Sequence, residues 1–312
     1  MTARFDPTRR DVVAGSAAAL GVAIAGVPAS VTHAAASTHK FNLGSMELTV
    51  LSDGVLNIPT RLLNRDMEPT QIETALGGTL TAPGQVQYAV NVLLVRHGRE
   101  LILIDAGAGS TWEPTVGKLG GRLEAAGIDP KSITKVVVTH AHPDHIWGLV
   151  DDFDELRFPN ADHIMPAAEL DYWQKVDVAS LPARMQGVAS GAKRVIGDVG
   201  ERLTAAPTGT EVLPGISYIS TPGHTPGHCS VRLTSGSDGL IVAADAVFHP
   251  MISFAHPDWQ PASDMDGAQA VASRRRLLDM AATDKLQFIA YHLPFPGLGR
   301  VERHAAAYRW RI

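Results

Sequence analysis

Residues 140–145 read HAHPDH, so His140, His142, Asp144 and His145 follow directly on the apolar stretch from Ile133 to Val138. Imidazole nitrogens and carboxylate oxygens without thiolate are a donor set that suits Zn(II) first, with Fe, Mn or Co as the other fits. In extended backbone, residues two apart point to the same side, so His140 and His142 can reach one ion from a strand end. Pro143 biases His142 toward extended backbone. The chain then turns, and Asp144 and His145, at a helix start, are left for a second ion. A lone histidine is most often an ordinary surface or core residue, but three within six residues beside a carboxylate at a strand end read as a metal site.

Two ions need more donors than this hexapeptide holds, and later strands end on them. The loop TPGHTPGH, Thr221 to His228, follows the strand Ile216–Ser220 and is rich in turn residues. It offers His224 as the third histidine beside His140 and His142, with His228 as the competing candidate. Asp245 closes the apolar run Leu240 to Ala244 and is placed to bridge two ions, and His292 closes Gln287 to Tyr291. Water shared by two ions about 3.5–4 Å apart has its pKa brought from about 15.7 to near neutrality. The expected nucleophile is therefore hydroxide held by the ions and oriented by Asp144 and Asp245, the two residues assigned to catalysis. Neither a GxSxG elbow nor a GxxxxGK[ST] loop is present, so the usual signatures of serine hydrolases and P-loop NTPases are missing.

The elements that must position these residues alternate. Glu47–Leu51, Tyr88–Val95, Leu101–Ile104 and Ile133–Thr139 read as strands, with a helix over Pro114–Ala126 ending at Gly127. The segment from Pro166 to Val199 is mostly helical in pattern. Strands resume at Ile216–Ser220, Ser230–Leu233 and Leu240–Ala244, and a helix from about Ala268 to Ala282 precedes the last strand, Gln287–Tyr291. No repeat or low-complexity linker interrupts this, and one α/β domain over residues 37–312 is the economical reading.

At 45% hydrophobic and 19% charged, the 312-residue chain has the make-up of a globular protein with a sizeable core. The net charge of −5, without a long basic run, gives no reason to expect nucleic acid or an anionic membrane as partner. The single cysteine, Cys229, excludes an internal disulfide and reads as a packed strand residue. Residues 1–36 have the form of a twin-arginine signal peptide: Arg9 and Arg10, an uncharged run from Val12 to Val31, then Ala34, Ala35 and Ala36 as a small-residue cleavage site. The expectation is transient engagement of the twin-arginine export machinery and a periplasmic or secreted mature protein. Glycines and alanines leave the run weakly hydrophobic for a membrane anchor.

Taken in order, HAHPDH, His224, Asp245 and His292 resemble the metallo-β-lactamase fold superfamily, and the likeness runs through the whole region after residue 36. The resemblance implies an αββα sandwich with two metal ions at one edge between the sheets. It places His140, His142 and His224 on one ion, Asp144, His145 and His292 on the other, and Asp245 on both. Asp105, in LIDAG, corresponds to an acidic residue behind the ligands that fixes a histidine's tautomer. LTVLSDG (Leu48–Gly54), DAGAGSTWEPTVG (Asp105–Gly117) and HLPFPGLG (His292–Gly299) resemble the branch containing methyl parathion hydrolase. That likeness implies a homodimer and puts Trp112 and Trp173 in an aromatic leaving-group pocket. Phe248 stands where lactonases of the superfamily place a tyrosine, so a mechanism relying on that phenol is not open to this chain. The expected activity is hydrolysis of neutral, apolar esters, whether organophosphate triesters, aryl esters or lactones. The competing expectations are a β-lactamase or glyoxalase II type thioesterase on the same scaffold, an iron redox protein of the same fold, or a non-catalytic metal-binding protein.

Overall fold

The computed structural model describes residues 37–312; the expected twin-arginine signal over residues 1–36 and its expected cleavage site lie outside the described residues. The chain begins with β1 (Thr38–Leu43) and β2 (Met46–Pro59), passes through α1 (Pro69–Leu76), and continues with β3 (Gln85–His97) and β4 (Glu100–Ile104). These four strands pair antiparallel in chain order. Crossovers then lay down β5 (Lys135–Val137), β6 (Asp162–Pro166) and β7 (Leu203–Ala206) parallel to β4, with α2 (Leu119–Ala125), α3 (Pro143–Ile146), α4 (Ala167–Lys175) and α5 (Ala183–Val199) as the connecting helices. The result is a seven-stranded sheet.

A second seven-stranded sheet is built from β8 (Glu211–Leu213), β9 (Ile216–Ser220), β10 (Cys229–Ser235), β11 (Asp238–Val242), β12 (Gln287–Ile289), β13 (Leu298–His304) and β14 (Ala307–Arg311). Here only β11 and β12 are parallel, and the crossover between them carries α6 (Ile252–Ala255) and α7 (Gly267–Thr283).

Alternation along the strands shows how the layers stack. On β3, Leu93 and Val95 pack between the sheets against Tyr218, Val231 and Leu240, while Val92 and Leu94 pack outward into the layer containing Leu123 and Val195 of the helices. On β11, Leu240 and Val242 face inward and Ile241 faces Leu277 and Leu278 of α7. Both faces of each sheet are covered, which is why these strands read as continuous apolar runs. The outcome is a mixed α/β sandwich of the expected four-layer kind.

Parallel strands end at the same edge of a sheet. Asp105 after β4 and His140 after β5 therefore share one edge of the first sheet, Asp245 after β11 and His292 after β12 share one edge of the second, and the packing of the two sheets brings those edges together.

The differences from the sequence expectations have local causes. The helix expected from Pro114 begins only at Leu119, because the Asp53 carboxylate accepts hydrogen bonds from the backbone N–H groups of Ala108, Gly117 and Leu119 and holds the preceding segment as a loop. The ladder of β5 stops at Val137, two residues short of the expected Thr139, whose N–H is taken by Asp105 Oδ1 at 2.8 Å. α4 and α5 divide the helical stretch after Pro166, with Pro182 immediately before α5.

Candidate metal centre

His142 has the extended backbone that Pro143 dictates (φ −73°, ψ 159°), and Asp144 and His145 lie in the short α3 that follows. The loop between β9 and β10 brings in His224. It can do so because Gly223 sits at φ 127° and a Cβ there would lie 2.1 Å from the Ala270 nitrogen, a conformation and approach only glycine allows. Asp245 sits in a single turn after β11, and His292 comes directly after Tyr291 beyond β12.

The seven candidate ligands converge, all buried: His140, His142, His224 and Asp245 form one group, and Asp144, His145 and His292 the other. Asp245 is the hinge between them. Its Oδ2 lies 3.2 Å from both His224 Nε2 and His292 Nε2, and its Oδ1 lies 3.0 Å from His145 Nε2. Asp144 Oδ2 is 3.3 Å from His292 Nε2 and 3.6 Å from His145 Nε2.

Behind the ring nitrogens that face inward, the other nitrogens are occupied. His145 Nδ1 donates to Asp105 Oδ2 at 2.8 Å, His224 Nδ1 to Asp264 Oδ1 at 3.0 Å, and His292 Nδ1 to the Ala89 carbonyl at 2.8 Å. A proton fixed on Nδ1 leaves the Nε2 lone pair bare and aimed at the centre, the arrangement that orients metal-binding histidines. Asp105 also accepts from Thr139 N and Thr139 Oγ1, both at 2.8 Å. These three bonds keep it at φ 62°, a backbone conformation uncommon for a non-glycine residue.

The donor set fits cations. His140 Nε2, His145 Nε2 and Asp245 Oδ1 are buried without a hydrogen-bond partner, and His142 Nδ1 faces His224 Nε2 at 2.8 Å. Unpartnered buried polar atoms are costly, and here they point at one another. In the cation-free protein the charge is balanced by protons. Burial opposes charge on His145 and His224, yet Asp245, Asp144 and Asp105 outweigh it at His145 and push that imidazole well above its ordinary value. Asp245 and Asp264 do the same at His224, lifting it to about 9. Burial, reinforced by His145, keeps His140 well below its ordinary value. Burial alone would raise the Asp245 carboxyl, but His292, His145 and His224 hold it well below the carboxylate range. Two divalent cations would replace those protons at the seven residues.

His228 stands outside the ligand set. Its Nδ1 lies 3.0 Å from the Thr221 carbonyl and its Nε2 accepts from the Asp245 N–H at 3.2 Å, so both nitrogens are spent on positioning the loop and the bridging residue. Burial, aided by His224, pushes it down to about 3, which matches a neutral ring accepting at Nε2.

A cavity of about 260 Å³ opens over the centre, with His142, Asp144, His224, Asp245 and His292 in its floor. Trp112 lines its wall as the resemblance implied, and Phe248, at the position of the lactonase tyrosine, lines it as well. Trp173 does not, and this corrects the expectation. It is fully buried behind the floor, edge-on to His142 at 6.2 Å between ring centroids, with Nε1 donating to Glu169 Oε1 at 2.6 Å. Trp173 is placed there because α4 points it into the core, where its indole N–H needs an acceptor.

That acceptor, Glu169, is the main residue the sequence reading missed. It is fully buried; Oε1 also accepts from Ala141 N at 2.9 Å, and Oε2 accepts from Thr225 Oγ1 at 2.6 Å and Gly227 N at 3.0 Å. One carboxylate thus ties the HAHPDH loop to the His224 loop. Arg274 was missed as well. Buried within an otherwise solvated Arg274-Arg275-Arg276 run, it donates to the Ala246, Pro257 and Trp259 carbonyls and to Asp264, and its guanidinium lies 5.1 Å from the Phe248 ring centroid. Nothing in a plain helical pattern marks either residue as different from a surface charge. Tyr291 adds a stacked ring against His145 at 4.1 Å and donates from its hydroxyl to the Asp144 carbonyl at 2.7 Å.

Comparison with known proteins points the same way as the geometry. A model of the metallo-beta-lactamase superfamily matches residues 86–286. Among solved structures, AidC, a dizinc quorum-quenching lactonase in complex with a product, superposes with a TM-score of 0.83 at 30% identity, covering 88% of this chain and 96% of that one. The hydrolase AbOPH, of the beta lactamase superfamily, gives 0.81 at 30% identity, covering 88% and 97%. An N-acyl homoserine lactonase from Bacillus cereus is 24% identical over 163 residues, 52% of this chain and 57% of its own length. YobT of Bacillus subtilis, an uncharacterized protein, is 28% identical over 160 residues, 51% and 62% respectively. The chain spans about three fifths of the length of these two curated relatives.

Proposed function

The chain belongs to the metallo-β-lactamase superfamily, and from that premise we propose that it is a metal-dependent hydrolase that cleaves neutral, apolar esters, lactones foremost. The observation that carries this reading is the cavity. Its floor is the ligand cluster, and its wall is formed largely by Leu56, Ile58, Trp112, Met185, Val188 and Phe248. Such a wall desolvates an apolar acyl chain or leaving group, and Arg184 is the one charged side chain besides the candidate ligands that lines it. The likeness to a dizinc quorum-quenching lactonase supports lactones over the organophosphate triesters and aryl esters that the same pocket chemistry admits.

Zinc is the cation proposed for both positions, since histidine nitrogen and carboxylate oxygen are its usual donors in catalytic sites. When bound, two such cations supply a nucleophile from water at neutral pH and a Lewis acid for the ester oxygen. The chain's own contribution is orientation. Asp245 and Asp144 present carboxylate oxygens to the cavity floor, where they can accept a water proton. Asp105 and Asp264 lock the tautomers of His145 and His224. The apolar wall excludes bulk water from the reacting centre.

A substrate panel tests the reading: an N-acyl homoserine lactone, an aryl ester and a paraoxon-like triester, each with and without chelator. Chelator-sensitive turnover is expected, highest for the lactone. Turnover of nitrocefin or a glutathione thioester with none of the three esters would overturn it. Export by the twin-arginine route and assembly as a homodimer are also proposed, from the Arg9-Arg10 pair and the family likeness respectively. Cell fractionation after replacing both arginines by lysine, and sedimentation of the purified protein, are their tests.

A further inference from the structure

Tyr88 is a polar group in the cavity wall that nothing so far has used. It lies on β3 directly opposite Leu56 of β2, and both residues line the cavity. Its ring is wedged among functional neighbours, 5.3 Å from the His292 ring and 6.1 Å from that of Phe248 between centroids. The residue is 8% exposed; among the described residues no protein group bonds its hydroxyl, which is not one of the fully buried unpartnered atoms and so is open to the cavity. Tyr291, a comparably buried tyrosine next to the site, bonds the Asp144 carbonyl, and Tyr218 bonds the Val138 carbonyl. Tyr88 is therefore the tyrosine of the site whose hydroxyl is left over, and it is left over where a substrate would sit.

Resting on the ester-hydrolase reading above, we propose that Tyr88 is a catalytic residue that donates a hydrogen bond to the substrate oxygen that gains negative charge as the ester bond is attacked. A phenol, with its ordinary pKa of about 10, carries its proton throughout the neutral range and so serves as a donor there. The reaction balances without a proton from Tyr88. Water's oxygen bonds to the acyl carbon, the carbon–oxygen single bond breaks, and the departing oxygen keeps the electron pair and takes the proton that water gives up. A preorganised donor in an apolar wall is worth more than the same donor in water, because no solvent has to reorganise around the growing charge.

Tyr88→Phe is the test, since it removes the hydroxyl and keeps the ring against Phe248 and His292. With metal content and thermal midpoint matched to the wild type, kcat on an N-acyl homoserine lactone is expected to fall about a hundredfold, with KM changing little. A second readout needs no turnover: binding of the corresponding N-acyl lactam, measured by calorimetry, is expected to weaken about fivefold in Tyr88→Phe. Unchanged turnover together with unchanged lactam affinity overturns the role of Tyr88 and leaves the hydrolase reading standing. A wild type that binds the lactam in a Tyr88-dependent way yet hydrolyses no ester upholds the hydroxyl as a ligand-facing donor and overturns the ester-hydrolase reading. A wild type that neither binds nor hydrolyses overturns both.

Discussion

The floor and the wall of one cavity are built by different means. Every floor histidine but His142 has its outer nitrogen anchored on a named acceptor, from Thr139 Oγ1 at His140 to the Ala89 carbonyl at His292. The wall comes from side chains far apart in the sequence, Leu56, Trp112, Met185 and Phe248 among them, held by packing. Hydrogen bonds constrain distance and angle together, whereas apolar contact constrains only shape. Changes in the floor should therefore abolish chemistry, and changes in the wall should retune it.

Four substitutions and a titration can break or sharpen that contrast. His142→Ala removes a floor ligand and is expected to lose bound metal and lower kcat/KM by more than about a hundredfold, a larger loss than removing a partner behind a ligand; elemental analysis and kinetics on one preparation check it. Glu169→Ala would leave four donors buried without an acceptor. It is expected to destabilise the fold by about 3 kcal/mol or more, read from the denaturant midpoint, and to drag the two ligand loops apart. Asp264→Asn, behind His224, is expected to cost about 10- to 100-fold in metal affinity while the fold survives.

The pH response has a definite sign. His224 is raised to about 9 in the cation-free protein, so its ion-pair contribution to stability is fully present below the unfolded histidine value of about 6.5 and is lost as pH rises through about 9. Metal binding must expel that proton. The apparent affinity for Zn(II) is expected to fall by about tenfold per pH unit as pH drops below 9, with proton release seen by calorimetry in buffers of different ionisation enthalpy. The smallest effect belongs to the wall: Phe248→Ala is expected to shift KM among acyl chain lengths by about tenfold and leave metal content unchanged.

The same contrast explains what could be read from the chain. HAHPDH, His224, Asp245 and His292 were legible because metal chemistry demands particular donors at strand ends, and the packing of the two sheets brings those ends together. Asp105 came from the family likeness, and the structure shows the bond to His145 that gives it a purpose. Apolar wall residues carry no such signature. Trp112 and Trp173 look equivalent in sequence, yet Trp112, in the loop between β4 and α2, lines the cavity, whereas the phase of α4 turns Trp173 into the core behind His142. Glu169 and Arg274 were invisible for the opposite reason, since charged residues on helices usually face water and only the tertiary fold turns these two inward. The start of α2 was misjudged because Asp53, more than sixty residues away, captures the N–H groups there.

The central claim is that seven side chains form one floor for two cations. Titrating Zn(II) calorimetrically into chelator-stripped protein, with lactone hydrolysis followed on the same samples, tests it most directly. The account predicts two equivalents per chain, activity returning as they bind, and loss of tight binding at one position in His142→Ala. Full activity in metal-free protein, or saturation at a single equivalent with Asp144, His145 and His292 individually dispensable, would contradict it.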